Sequence, residues 1–287
     1  MSRSIFNELK FKMFNSGSRL NLFIGINIIV FFGLGILRTI EWLFTREIAV
    51  TTWIVDQLTV PAYLPELLYK PWTLLTYMFS HTGLLHFIFN VLWLYWMGRI
   101  FEDFLNSRQF TFTYIAGGLI GAILFIAFYN FLPAFREVIL QSPALIGASA
   151  GVMAIVVATA TLLPDYSIML LFFGQVRLKY LVLIYVALDI IGISGLNPGG
   201  SIAHLGGALL GFIYIKQLQA GHDWSKIFSK RRKLKVVQRN TSSSYSSTSN
   251  IPDEEIIDRI LDKISKSGYN SLTKQEKEQL FRASNKK

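Results

Sequence analysis

The chain has 287 residues, 52% of them hydrophobic and only 16% charged, with a net charge of +10. Soluble domains carry about 25% charged residues, and the shortfall here falls on residues 20–215, leaving 216–287 polar and basic. The absence of cysteine excludes disulfides, thiol nucleophiles and thiolate-bound metals.

Residues 1–19 carry Arg3, Lys10, Lys12 and Arg19 ahead of an apolar run. No small-residue cleavage site follows, so this reads as a cytoplasmic N-terminal segment and not a signal peptide. A membrane-spanning helix needs roughly 20 mostly apolar residues. The sequence offers six candidates within 20–218: 20–37, 83–100, 110–132, 145–163, 180–194 with an apolar lead-in at 168–173, and 202–218. Residues 38–71 form a long connection holding Trp42, Trp53 and Tyr63, the composition of a segment lying in the membrane interface. Arg99, Arg108, Arg177, Lys179 and the basic tail after Lys216 fall on one side of such a six-span layout. The positive-inside rule makes that side, and both termini, cytoplasmic. It also accounts for the basic excess without nucleic acid, since the charge sits beside a hydrophobic span.

Residues 219–250 read as a basic and Ser-rich linker. Residues 251–287 read as a small helical cytoplasmic appendage. Pro252 to Glu255 mark a helix start, Ile256, Ile257, Ile260, Leu261 and Ile264 make one apolar stripe, and Gly268 ends it. Thr273 and Glu276 have the spacing of a capping box for a second helix ending near Arg282. A loosely ordered tail and a docking module for a protein partner both fit so small a core. The fold class expected is all-α: a polytopic bundle of six transmembrane helices with this tail.

Polar residues inside membrane helices are costly and mark sites by default. His86, Asn90, Ser149 and His204 all lie in the first turns of the second, fourth and sixth spans, which start on the same non-cytoplasmic side. They therefore share a depth. Ser149, in Gly147-Ala148-Ser149-Ala150-Gly151, sits where a loop enters a helix and leaves N–H groups free for an oxyanion. Packing by small residues is the competing reading of Gly147 and Gly151. His204 stands beside Gly207 and Gly211, a close-packing face, and has the chemistry of a general base. His86 and Asn90, four apart, share a helix face and can donate hydrogen bonds to an oxyanion or act as interhelical glue. A metal held by His81, His86 and His204 is disfavoured, with no carboxylate near them in sequence and no His-Glu-x-x-His; no cofactor is expected. No acid is obviously placed to orient His204; Asp189, the only acid in the fifth span, fits either orienting a partner or simply sitting near the outer end.

Taken together, these residues resemble the rhomboid family of intramembrane serine proteases over about Pro71 to Gly211. The matching features are His86-Phe87-Ile88-Phe89-Asn90 preceded by His81, Gly147-Ala148-Ser149, Ala203-His204 with Gly207 and Gly211, and Gly98 to Glu102. The resemblance implies a Ser149–His204 dyad with Asn90, His86 and the Ser149 N–H as oxyanion hole. It implies transmembrane protein substrates cleaved within the lipid bilayer, and a bacterial inner membrane as the setting. The sequence departs from the family at Ala150 and Met153, where glycine and an aromatic residue are usual, and at Thr73 after Trp72. A catalytically silent binder of membrane clients is the alternative, and a transporter is disfavoured by the lack of internal repeats.

Overall fold

The computed structural model describes residues 7–8, 11–141, 143–170, 174–195, 197–228 and 254–284. The chain divides into two units, Met1–Lys230 and Arg231–Lys287.

Helix α1 (Arg19–Thr45) starts where the Ser18 hydroxyl accepts the Asn21 N–H and donates to Glu102. It runs past the expected end at residue 37. Glu41 stays helical because its carboxylate accepts the N–H groups of Val50 and Thr51, capping α2 (Ala49–Leu58). With α3 (Leu64–Tyr69) and a helical turn at Thr73–Thr76, the 38–71 connection is largely helical. Trp42, Phe44, Trp53, Leu68 and Tyr69 are exposed on it, as an interfacial segment requires.

The remaining bundle helices are α4 (Leu84–Phe104), α5 (Ser107–Phe131), α6 (Ser149–Leu162), α7 (Leu178–Gly192) and α8 (Pro198–Gln219). Asn106 and Gln109 cap α5 reciprocally, while Asn197 and Pro198 open α8. Helices thus occupy all six expected places, but only α1, α4, α5 and α8 are long and apolar enough to cross a membrane by length and composition. Helix α6 has 14 residues, about 21 Å at 1.5 Å per residue, short of a hydrocarbon core of about 30 Å. Every residue from Ala150 to Ala160 is buried, so α6 is enclosed by protein. Helix α7, of 15 residues, turns Leu183, Ile184, Leu188 and Ile191 outward.

Small residues let α6 sink between its neighbours. A Cβ on Gly117 or Gly121 of α5 would meet the Ala154 or Ala150 methyl at 2.2 or 2.7 Å. One on Gly207 or Gly211 of α8 would meet the Ala150 or Ala154 carbonyl oxygen at 2.0 or 2.3 Å. The α6 backbone is therefore in direct contact with α8.

Two short strand pairs complete this unit. β1 (Val60–Pro61) pairs antiparallel with β2 (Ala144–Leu145), Val60 opposite Leu145, and ties the α2 connection to the segment entering α6. β3 (Ser167–Leu170) pairs with β4 (Gly174–Arg177) between α6 and α7. The apolar lead-in expected to join the fifth span is therefore a strand over 168–170, with 171–173 outside the described residues. A run so short cannot extend a helix through the β4 turn, where Gly174 takes φ +68°.

In the second unit, α9 (Glu254–Ser267) ends at Gly268 with φ +77°, and α10 (Lys274–Ser284) follows. The capping box forms: the Thr273 N–H donates to Glu276 at 2.7 Å and the Glu276 N–H donates back to the Thr273 hydroxyl at 3.3 Å. Lys263 donates to both Glu276 oxygens at 2.9 Å, and Ile260 and Leu272 are buried. The Ser-rich stretch at 240–250, the basic run at 230–235, Pro252 and Asp253 lie outside the described residues.

Candidate active site

Ser149 is the first residue of α6, so its N–H has no carbonyl one turn back to bond. The segment leading to it is pinned at each preceding amide. The Gly147 N–H donates to the Tyr77 carbonyl at 3.0 Å, and the Ala148 N–H donates to His81 Nε2 at 3.2 Å. Gly147 has φ +123°, and a Cβ there would lie 2.6 Å from His86 Cε1. Glycine is needed on both counts. His81 is 2% exposed and meets the His86 ring edge-on at 5.2 Å. Burial, and then the nearby His86, push its pKa down to about 3, so it stays the neutral acceptor that Ala148 requires.

His86 and Asn90 come from the first two turns of α4. The Asn90 amide donates one N–H to the His86 carbonyl at 2.7 Å, which leaves its second N–H to spend elsewhere. His204 lies in the second turn of α8. Its Nδ1 is 2.9 Å from Asp189 Oδ1 on α7, and its ring centroid is 6.2 Å from that of Tyr185. Tyr185 in turn stacks on Trp93 of α4, 6.3 Å between centroids and 20° between planes.

These side chains meet at one cavity of about 320 Å³, lined by His86, Phe89, Asn90, Trp93, Ser149, Val152, Tyr185 and His204. A roomier cleft of about 490 Å³ between Arg38, Trp42 and Ile48 brings no nucleophile together with a base. The structure therefore joins Ser149, His204, His86 and Asn90, as their common depth predicts. His81 and Gly147 stand behind the cavity and shape its wall. Gly207 and Gly211 face the α6 backbone. Among the described residues no hydrogen bond joins Ser149 to His204, and no cluster of three His, Asp or Glu could hold a metal ion.

Asp189, left open by the sequence, has its partner in the structure: its carboxylate meets His204 Nδ1 across α7 and α8. Tyr185 and Trp93 were not singled out by sequence at all. Their signal was the spacing of Tyr185 and Asp189, four apart and so on one helix face, in a span with no other acid.

Chemically, the cavity offers a hydroxyl at a helix start, an imidazole whose Nδ1 is engaged and whose Nε2 has no hydrogen bond among the described residues, and N–H donors on two sides. Such a set can take up a hydroxyl proton and stabilise a developing oxyanion.

A Rhomboid domain family matches residues 69–219, and a family of unknown function (DUF6576) matches residues 245–286. Among curated proteins, the chain is similar to Presenilin-associated rhomboid-like protein A, mitochondrial, of Danio rerio, 33% identical over 163 residues, 54% of this chain and 38% of that one. It is also similar to RHOMBOID-like protein 12, mitochondrial, of Arabidopsis thaliana, 28% identical over 158 residues, 52% of this chain and 47% of that one. The matches span less than half the length of either relative. Both relatives are mitochondrial by name, so the expected bacterial inner membrane finds no support in them.

Proposed function

The chain belongs to the rhomboid family and is an integral membrane protein, and on that premise we propose that it is a serine endopeptidase that cleaves membrane proteins in or near their transmembrane segments. In this reading α1 and α4 to α8 make six spans, with both termini on one face of the bilayer. Ser149 Oγ attacks the substrate carbonyl while His204 Nε2 takes its proton. The resulting oxyanion is met by the Ser149 N–H, Asn90 and His86. His204 then protonates the leaving amine, and water entering the cavity hydrolyses the acyl-enzyme with His204 as base.

The observation that carries the reading is the convergence of Ser149, His204, Asn90 and His86 from three helices on one cavity. The missing Ser149–His204 hydrogen bond is what a silent binder of membrane clients would show. It is also common in catalytic pairs without substrate, which tighten only in the Michaelis complex.

The test is cleavage of a single-span substrate with small residues near its outer end, by the purified protein and by Ser149→Ala. Loss of cleavage in the variant supports the proposal. Persistent cleavage removes Ser149 from the mechanism. Substrate bound but uncut by both proteins favours the silent binder.

A further inference from the structure

We propose that Asp189 is a positioning residue that holds His204 in the tautomer the reaction needs, so that the working unit is a Ser149–His204–Asp189 triad built across three helices. This rests on the reading of Ser149 and His204 given above.

The argument begins with the cost of keeping an acid there. Asp189 is 6% exposed in a helix whose only other charged residue is Lys179 in its first turn, and a carboxylate is expensive there. Only one of its oxygens is engaged. Oδ1 lies 2.9 Å from His204 Nδ1, while Oδ2 is buried with no hydrogen-bond partner among the described residues. A group kept for stability would have both oxygens satisfied, because a half-satisfied buried carboxylate weakens a fold. Asp189 therefore fits a functional demand better than a structural one.

The geometry says what that demand is. An ionised carboxylate can only accept, so in the proposed unit Nδ1 carries the proton facing it. In neutral imidazole that leaves Nε2 bare, which is the form that can accept the Ser149 proton. Without the acid, either nitrogen can hold the proton, and the Nε2-protonated form cannot act as base. When His204 takes the serine proton, the ring becomes a cation beside Asp189, which stabilises it inside a low-dielectric bundle. The proton moves from Oγ to Nε2, and the proton already on Nδ1 stays there, with no transfer to Asp189.

Packing supports the same role. Tyr185 lies one turn before Asp189 on α7, and its ring centroid is 6.2 Å from that of His204, the planes tilted by 42°. Tyr185 is itself backed by Trp93. The imidazole is thus bounded by a hydrogen bond and an aromatic wall from one helix face. The plainer reading of the Asp189–His204 contact is glue between α7 and α8, and the experiment must separate the two.

The full chain, reconstituted in lipid nanodiscs, would be compared as wild type, Asp189→Asn, Asp189→Glu and Ser149→Ala. Cleavage kinetics, the thermal unfolding midpoint and ¹⁵N-histidine NMR would be recorded, with the His204 signal assigned by its loss in His204→Ala. For Asp189→Asn the expectation is a fall in kcat of roughly 10²–10⁴-fold with KM changed less than about twofold, the pattern of a lost transition-state interaction. Asp189→Glu should recover part of that loss. The wild-type signal should show His204 protonated at Nδ1 alone, and Asp189→Asn should show a mixture of tautomers. Wild-type kcat in Asp189→Asn, or a wild-type His204 protonated at Nε2, overturns the proposal. So does a loss of kcat that tracks a lowered midpoint while the tautomer stays put. The tautomer measurement decides the matter even if Ser149→Ala still cleaves, a result that would instead count against the protease reading.

Discussion

Replacing Gly207 with alanine would put a methyl group 2.0 Å from the Ala150 carbonyl oxygen. Ordinary contact begins near 3.4 Å. Both atoms are fixed to helix backbones, so no side chain can rotate out of the way, and α6 and α8 must part by more than an ångström. Ala150 follows Ser149 directly, and Gly207 lies one turn after His204, so the separation falls on the reacting pair. Overpacking of this kind costs about 1–3 kcal/mol of stability. A misplacement of about 1 Å at a reacting centre can cost on the order of 10²-fold in rate. Gly207→Ala should therefore lower the unfolding midpoint and reduce cleavage of a single-span substrate about a hundredfold, with rate measured per folded molecule. Gly33→Ala is the control. A Cβ there meets nothing within 4 Å, so the same change of residue in α1 should leave cleavage unaltered. Wild-type rate and midpoint in Gly207→Ala, or equal damage from Gly33→Ala, would refute the close-packing argument.

Asn90→Ala should lower kcat by about 10²–10³-fold without abolishing it, the usual worth of one oxyanion donor; an unchanged rate counts against its role. His81→Ala removes the acceptor of the Ala148 N–H and should cost about 1–3 kcal/mol of unfolding free energy, while His81→Gln, which keeps an acceptor, should recover part of it. His81 also gives a pH dependence. Folded, it stays neutral down to about pH 3, whereas unfolded it takes a proton near 6.5. Between those values the unfolded chain binds more protons, so stability falls as pH drops from about 6.5 to 3. Unfolding midpoints measured across that range should slope less steeply in His81→Gln than in wild type; identical slopes would rule out a titrating, buried His81.

The parts of the site legible in sequence are those that depend on one dimension. Where a helix starts fixes the depth of its first residues, so His86, Asn90, Ser149 and His204 could be placed at one level without knowing which helices touch. The capping box of Thr273 and Glu276 and the stop at Gly268 were legible for the same reason, being local. Length was less reliable. The span expected at 145–163 is a 14-residue helix, Ser149–Leu162, and the structure adds that protein encloses it. Its apolar character reflects burial among α5, α8 and α4. Hydropathy does not separate burial in protein from burial in lipid, because both exclude water.

What sequence could not supply is which side chain faces which across a helix pair, and the departures at Ala150 and Met153 turn on this. The Ala150 methyl is directed at Gly121 of α5, so α5 provides the space that an extra carbon on α6 demands. Its backbone still meets Gly207, and the approach of α6 to α8 is kept. Met153 is 1% exposed in the core, while Val152 lines the cavity. An aromatic residue at 153 is therefore not what bounds His204 in this chain. Tyr185 and Asp189 reach the imidazole from α7 instead. The consequence is mechanical. Helix α7 is short and turns one face outward, and it carries both groups that adjoin His204. Any displacement of α7 relative to α8 would therefore shift the Tyr185 wall of the cavity and the Asp189 contact to His204 together.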